Sequence, residues 1–347
     1  GDQSPPDAGA MQAIVAGLSI DEMRDLLKSF STYFALVNLS EQLQRMWVLR
    51  DRAEQAPEAM RSESIVAAVA ELRRNGVPAE QLQRWLNSAL ILPVFTAHPT
   101  EARRRTTLEK LRRIADMLEQ KQLGHEPSSE GERRRRIVEE IVGLWQSDEV
   151  RIIRPTVVDE VKNGLYYFDA TLFDLVPQLY RDIERALVAH YPEHQWHVPE
   201  LLRFGSWMGG DRDGNPFVTP DVTVTTAKQM RVWALRRHTR AIEDLSHRLS
   251  QSIRQTPISA ELQASLAADA ALFPPTAELL AHRNPYELYR QKCTYIREKL
   301  LRSSQHAERH VPDWGSADPL PLAGTFYHHS RELLEELKLI ERSLRAN

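Results

Sequence analysis

Apolar residues recur at intervals of three and four along most of the chain, a spacing that predicts amphipathic helices. The first stripe follows Ser19-Ile20-Asp21-Glu22, which has the pattern of a capping box at a helix start. Asn75-Gly76-Val77-Pro78 separates two further stripes and has the composition of a helix stop. A long stripe at 161–187 contains Pro177, which predicts a kink. The pattern therefore predicts a mainly α-helical chain.

One segment breaks the helical pattern. Ile91-Leu92-Pro93-Val94-Phe95 is short, apolar and β-prone, which predicts a buried strand. The chain then passes through His98 into Pro99, which suits a first helical turn because its missing N–H is not needed there. His98 is thus predicted to lie where a strand ends and a helix begins, the usual position of catalytic groups in α/β barrels. The alternative is that His98 only caps the following helix.

A second segment, Gly205-Ser206-Trp207-Met208-Gly209-Gly210-Asp211-Arg212-Asp213-Gly214-Asn215-Pro216, is too polar and too rich in glycine to be plain core. Its glycines let the backbone approach a ligand and adopt positive φ angles. The Asp-x-Asp-Gly order resembles part of a calcium loop, but an EF-hand needs a carboxylate at its twelfth position, where this chain has Val222. We therefore expect a ligand-facing loop, followed by the helix start Thr219-Pro220-Asp221.

Composition narrows the functional class. The chain has 347 residues, of which 42% are hydrophobic and 27% charged, and its formal net charge is −3. These values are typical of a globular protein and argue against a strong binder of nucleic acid. Cys293 is the single cysteine, which excludes an intrachain disulfide and predicts a reducing cytoplasm. No run approaches the roughly 18 apolar residues that a membrane span needs.

In order and separation, Phe95-Thr96-Ala97-His98-Pro99-Thr100-Glu101 and residues 205–216 resemble the signatures of bacterial and plant phosphoenolpyruvate carboxylases. The resemblance implies a helix-rich α/β (TIM-type) barrel enzyme, of which this chain is the N-terminal part. Residues 1–90 would form an N-terminal helical region. Residues 91–347 would supply the first strands and helices of an incomplete barrel with helical insertions.

The resemblance also implies a reaction. Bicarbonate joins phosphoenolpyruvate to give oxaloacetate and phosphate, through carboxyphosphate and a metal-stabilised enolate. His98 would be the base that helps carboxyphosphate break into CO2 and phosphate, a role that suits a neutral imidazole. Trp207 would help to shape the phosphoenolpyruvate pocket, and Arg212 and Asp213 are further candidates for substrate binding. The other interpretation of the last two is an Asp–Arg network, shared with Asp211, that keeps the loop rigid.

Several arginines invite two interpretations. Arg104, Arg105 and Arg151 match the arginines that family members place around a sugar-phosphate activator site near a dimer contact, and guanidinium groups suit phosphate geometry. The alternative is a solvated face of charges. The run at 133–136 is expected to be a solvated helix turn that pairs with the glutamates at 139–140.

The resemblance further implies Mg²⁺ or Mn²⁺, held by carboxylates in later segments of the enzyme that have no counterpart in this chain. The isolated chain would then be inactive. The expected partners are phosphoenolpyruvate and bicarbonate, with no nucleic acid and no membrane, in a cytoplasmic homotetramer built as a dimer of dimers. Two alternatives stay open: a shortened, non-catalytic paralogue that binds a phospho-ligand or regulates, and a helical module that assembles with a longer enzyme.

Overall fold

The structure is a computed structural model that describes residues 8–55, 63–96, 104–122, 130–148, 155–213, 215–309 and 322–346. The mainly helical architecture predicted from the sequence is confirmed within these ranges. The helices are α1 (Ala8–Ala16), α2 (Ile20–Gln55), α3 (Ile65–Arg74), α4 (Ala79–Ser88), α5 (Arg105–Gln122), α6 (Glu130–Trp145), α7 (Val157–Tyr167), α8 (Phe173–His190), α9 (Pro220–Arg248), α10 (Ala260–Leu272), α11 (Pro274–Arg283), α12 (Leu288–Arg309) and α13 (Ser330–Arg345). A π-helix (Phe168–Leu172) joins α7 to α8, and two short strands are β1 (Val94–Phe95) and β2 (Gly205–Ser206).

The chain divides into two compact units. Unit 1 comprises Gly1–Pro93, Ala97–Pro155 and Val176–Arg203, and unit 2 comprises Val94–Thr96, Thr156–Leu175 and Phe204–Asn347. Both strands, the π-helix and the loop that follows β2 belong to unit 2. The predicted boundary between a helical region at 1–90 and barrel elements at 91–347 stays a prediction.

Unit 1 is held by two helical groups. In one, α2, α5 and α6 pack together, and Arg113 of α5 donates two hydrogen bonds to the Glu140 carboxylate, at 2.6 and 2.9 Å. In the other, α3 and α4 pack on α8 around a core that includes Leu82, Leu187 and Tyr191. The Ser19–Glu22 capping box of α2 is confirmed, because each residue's backbone N–H donates to the other's side chain.

The predicted partners of the arginine run were wrong. Arg133 is buried and pairs with Glu130, while Arg135 and Arg136 pair with Glu132. These partners precede the arginines by three or four residues, a spacing that places them on the same helix face. The Glu140 carboxylate instead meets Arg113 and Lys110 of the neighbouring α5.

Unit 2 is built around the packing of α9 along α12, with α10, α11 and α13 completing its core. Its buried apolar residues are Ile242, Leu249, Leu262, Leu266, Phe273, Leu280, Tyr289, Cys293, Tyr295, Ile296, Leu300, Tyr327, Leu333 and Ile340. On α10, α12 and α13 these residues recur at helical spacing, so each of these helices turns one apolar side towards the core.

A cluster of buried charges lies inside unit 2. The Lys292 ammonium, which is 0% exposed, contacts Asp269 Oδ2 at 2.6 Å and Glu336 Oε1 at 3.1 Å. Lys299 contacts Asp269 Oδ1 at 2.6 Å and the same Glu336 oxygen at 2.5 Å, and Tyr327 donates to the other oxygen of Glu336. Two cations and two anions therefore balance one another and join α10, α12 and α13.

The two strands pair in parallel, with Val94 opposite Gly205 and Phe95 opposite Ser206. Parallel neighbours require a long crossover connection, which here contains α5 to α8. The predicted strand is present, but its predicted burial was wrong, because Val94 is 43% exposed and Ile91 and Leu92 are also exposed. The described residues show this one parallel pair, and the α/β barrel stays a prediction.

Candidate functional site

The parallel pairing of β1 and β2 brings the starts of the two sequence motifs together. Both strands run in the same direction, so the residues that follow Phe95 and Ser206 leave from the same edge. The Trp207 N–H donates to the Phe95 carbonyl oxygen at 2.7 Å, which extends the pairing into the second motif. His98, the predicted catalytic residue, follows Phe95 by three positions and lies outside the described residues.

A tight turn follows Trp207. The amides of Gly210 and Asp211 donate to the Trp207 carbonyl oxygen at 3.0 and 2.9 Å. Gly209 has a φ of +73°, and a Cβ at this position would come within 2.8 Å of the Thr226 Cβ atom on α9. A glycine is therefore required here both by the backbone conformation and by the close approach of α9.

The turn divides its side chains between core and solvent. Met208 is buried against Gly164 of α7, where a larger residue would displace the end of the methionine side chain. Trp207 is 53% exposed. A cavity of about 190 Å³ with an almost entirely apolar lining lies next to Met208 and is bordered by Phe168 and Trp233. The loop therefore has an anchored apolar side, while Trp207 remains accessible to a ligand.

The charged part of the loop is exposed. Asp211 Oδ1 accepts the Asp213 N–H at 3.0 Å, an Asx turn that shapes the backbone locally. Within the part of the chain that the structure describes, Arg212 forms no ion pair with Asp211 or Asp213, so the proposed Asp–Arg network was wrong. Arg212 and Asp213 are both exposed, as a substrate-binding role would require.

The arginines considered for an activator site lie in unit 1. Arg104 Nη1 is 3.9 Å from Asp148 Oδ2, and Arg105 pairs with Glu109 at 2.7 Å on the first turns of α5. Arg151 lies outside the described residues, three positions after Asp148. The contact between Arg104 and Asp148 therefore brings the residue before α5 close to Asp148, the last described residue before Arg151 in the sequence.

No group of three or more histidine, cysteine, aspartate or glutamate side chains in the described ranges is arranged to hold a metal ion. None of the helices in those ranges is both long and apolar enough to cross a membrane.

Sequence reasoning missed the aromatic cluster behind the strands. Phe168 of the π-helix lies 5.0 Å from Phe95 and 5.0 Å from Phe204, between ring centroids, and 5.7 Å from Trp233 of α9. Phe95 is the first residue of one motif and Phe204 directly precedes the other, which was the available signal. Aromatic pairs at these separations add stability beyond the area they bury.

Comparisons with known proteins agree on one family. The model of the family described as phosphoenolpyruvate carboxylase matches residues 1–347. The chain is 54% identical over 337 residues to the phosphoenolpyruvate carboxylase of Roseiflexus castenholzii, covering 97% of this chain and 36% of that protein. It is 37% identical over 361 residues to the phosphoenolpyruvate carboxylase of Synechococcus sp. (strain WH7803), covering 96% of this chain and 36% of that protein. It is 40% identical over 255 residues to the phosphoenolpyruvate carboxylase of Thermus thermophilus, covering 73% of this chain and 28% of that protein.

The chain thus spans about a third of the length of these relatives. The family match extends over every described element, including both strands and the loop after Trp207. Taken with the two motifs that start at one edge of the strand pair, this match means that the chain belongs to the phosphoenolpyruvate carboxylase family.

Proposed function

We propose that this chain supplies part of the active site of a phosphoenolpyruvate carboxylase, a lyase that forms oxaloacetate and phosphate from phosphoenolpyruvate and bicarbonate. The observation that carries the proposal is the parallel pairing of β1 and β2, from whose common edge both motifs start. Active sites in α/β folds are built at the carboxyl ends of parallel strands. The proposal places the reaction in the cytoplasm, where it replenishes the tricarboxylic acid cycle by fixing carbon dioxide.

We assign His98 to the step after phosphoryl transfer. Carboxyphosphate gives up the proton of its carboxyl group to the neutral imidazole, and its bond between carbon and bridging oxygen breaks. The electron pair of that bond leaves with phosphate, and CO2 is released. The enolate of pyruvate then donates its electron pair to the CO2 carbon, which forms the new carbon–carbon bond of oxaloacetate. An imidazole with an ordinary pKa near 6.5 is a competent base at neutral pH.

We assign substrate binding to the loop after β2. Trp207 would provide an accessible apolar wall of the pocket, and the exposed Arg212 guanidinium would pair with the phosphate or carboxylate of phosphoenolpyruvate. Asp213 would orient the loop or the substrate through its free carboxylate. The rigid turn at Gly209, fixed against Thr226, supports this role because it holds Trp207 in place without covering it.

The family implies Mg²⁺ or Mn²⁺, and the described residues do not fit such an ion. The loop itself carries two carboxylates, Asp211 and Asp213, no third ligand in the described ranges is arranged with them to hold a metal, and one oxygen of Asp211 already accepts a backbone hydrogen bond. We therefore propose that the rest of the longer polypeptide holds the ion. It follows that the 347-residue chain alone has no carboxylase activity.

A coupled assay of oxaloacetate formation tests the proposal on the full-length polypeptide and on the 347-residue chain. We expect oxaloacetate from the full-length protein when phosphoenolpyruvate, bicarbonate and Mg²⁺ are all present, and none from the shorter chain. Trp207→Ala in the full-length protein should weaken phosphoenolpyruvate affinity first. A full-length protein that binds phosphoenolpyruvate without turning it over would instead support the non-catalytic paralogue.

We further propose that Arg104, Arg105 and Arg151 bind a sugar-phosphate activator in a homotetramer built as a dimer of dimers. The approach of Arg104 to Asp148 supports the grouping, because Asp148 stands only three positions before Arg151 in the sequence. Arg104→Gln with Arg105→Gln should remove activation by a sugar phosphate and leave the unactivated rate intact. Activation that survives in this double variant would contradict the assignment.

A further inference from the structure

The π-helix between α7 and α8 brings together side chains that an α-helix would separate. In an α-helix, residues five apart point about 140° away from each other, because each residue turns by about 100°. A π-turn closes with a hydrogen bond between residues five apart, here from the Phe173 N–H to the Phe168 carbonyl oxygen, and returns such pairs to one face. Two pairs with this spacing, Phe168 with Phe173 and Asp169 with Asp174, meet the same partner helix.

The partner helix is α9, which contacts both pairs from two residues one turn apart. Trp233 meets the rings of Phe168 at 5.7 Å and Phe173 at 6.2 Å, between centroids. Arg237 meets the Asp169 carboxylate at 3.5 Å and the Asp174 carboxylate at 3.2 Å. Its guanidinium also lies 4.3 Å from the centroid of the Phe173 ring. Trp233 and Arg237 of α9 therefore each contact two residues that the π-turn places on one face and that a regular α-helix would point apart.

The consequence of this arrangement is the position of Phe168. With the π-turn in place, its ring contacts Phe95 and Phe204, which are themselves 6.2 Å apart between centroids. Phe95 ends β1 and Phe204 immediately precedes β2. One ring thus supports both strands at the points where the two motifs begin.

We propose that Phe168 is a positioning residue for carboxylation, held in place by the π-turn, and that it keeps β1 and β2 in the register that aligns the two motifs. The inference rests on the proposed function for its effect on turnover, but its structural part does not depend on activity. It extends to Arg237, which stabilises the π-turn through Asp169 and Asp174. π-Turns are frequent at functional sites, in agreement with this role.

The test uses the full-length polypeptide with Phe168→Leu and a matched control, Phe273→Leu, which removes the same bulk from the buried core of unit 2. Hydrogen exchange is measured at the Trp207 amide, whose N–H bonds to the Phe95 carbonyl oxygen. We expect exchange at this amide to become at least about tenfold faster in Phe168→Leu and to stay unchanged in the control. Arg237→Met should also accelerate hydrogen exchange at the Trp207 amide.

Turnover is measured on the same proteins per folded molecule. We expect kcat to fall by about tenfold to a hundredfold in Phe168→Leu, with a smaller change in the KM for phosphoenolpyruvate, because misplaced groups cost rate. The control should keep its kcat. Unchanged exchange at Trp207 in both Phe168→Leu and Arg237→Met, or equal acceleration in the control, would overturn the proposal. An inactive wild-type protein would refute the proposed function instead, and the exchange measurement would still test the structural role of Phe168.

Discussion

Lys292→Met removes one charge from the buried network of unit 2. The Lys292 ammonium donates to Ser265 Oγ at 2.8 Å, to Asp269 at 2.6 Å and to Glu336 at 3.1 Å. Methionine has nearly the same length and is apolar, so it fills the space and avoids the cost of burying the ammonium. Lys299 is then left as the single ammonium facing two carboxylates.

The size of the destabilisation by Lys292→Met is determined by the carboxylate that is left without a cation. Removing one partner of a buried ion pair costs about 3–5 kcal/mol, which is roughly a hundredfold to several thousandfold in an unfolding constant. Asp269→Asn in the same protein restores the balance of one cation and one anion. The loss of unfolding free energy in the double variant should therefore be at least about 2 kcal/mol smaller than the sum of the losses in the two single variants.

The cost should also depend on pH. Burial alone would raise the pKa of Glu336, but Lys292 and Lys299 together hold it below its ordinary value. A lowered folded pKa contributes stability that is complete above the unfolded pKa and disappears as the pH falls through the folded pKa. Without Lys292 the folded pKa of Glu336 rises, so the variant loses less stability than the wild type as the pH falls below 4.5, the ordinary value for glutamate, and the difference between the two proteins should shrink there.

The assay is hydrogen exchange of the α12 amides at increasing urea, which reports the opening of the helix that carries both lysines. Lys338→Met is the matched control, because Lys338 pairs with Glu335 at 3.1 Å on the exposed face of α13. This control should change the opening free energy by less than about 0.5 kcal/mol. The reasoning is refuted if Lys292→Met behaves like Lys338→Met, or if Asp269→Asn adds its full cost to it.

Three shorter predictions follow. Gly209→Ala places a side chain at positive φ against Thr226 and should cost about 1–3 kcal/mol in thermal unfolding, whereas Gly210→Ala should be nearly neutral; equal costs would contradict the turn. Thr156→Ala removes the capping box of α7 and should lower the free energy of unfolding in urea by about 1 kcal/mol; an unchanged free energy of unfolding would contradict the cap. Burial raises the pKa of Cys293 to about 11, so alkylation of the native thiol should be slow at about pH 8 and accelerate only as the pH rises; rapid native alkylation would contradict this.

The sequence predicted the features that depend on local chemistry. The capping box at Ser19 and the strand at Val94–Phe95 follow from residue type and spacing, and both are present. β2 was not predicted, because Gly205-Ser206 has low strand propensity and pairs only through contact with a distant segment. The adjacency of the two motifs therefore required the structure.

The misses share a tertiary origin. The stripe at 161–187 keeps its apolar spacing through the π-turn, so nothing local distinguishes Phe168–Leu172 from an α-helix. Lys292 and Lys299 were not expected in the core, because lysine is almost never fully buried unless it is paired. Their partners, Asp269 and Glu336, stand on other helices, and only the fold brings them together.

His98→Asn in the full-length protein tests the central claim most directly, with phosphoenolpyruvate affinity and oxaloacetate formation measured on the same preparation. We expect oxaloacetate formation to fall by about 10²–10⁴-fold, since the role proposed for His98 is to act on carboxyphosphate, while the dissociation constant for phosphoenolpyruvate changes by less than about threefold. Trp207→Ala, measured alongside, should lose affinity first. Loss of phosphoenolpyruvate binding in His98→Asn with turnover retained at saturation would contradict the account and leave His98 as a helix cap.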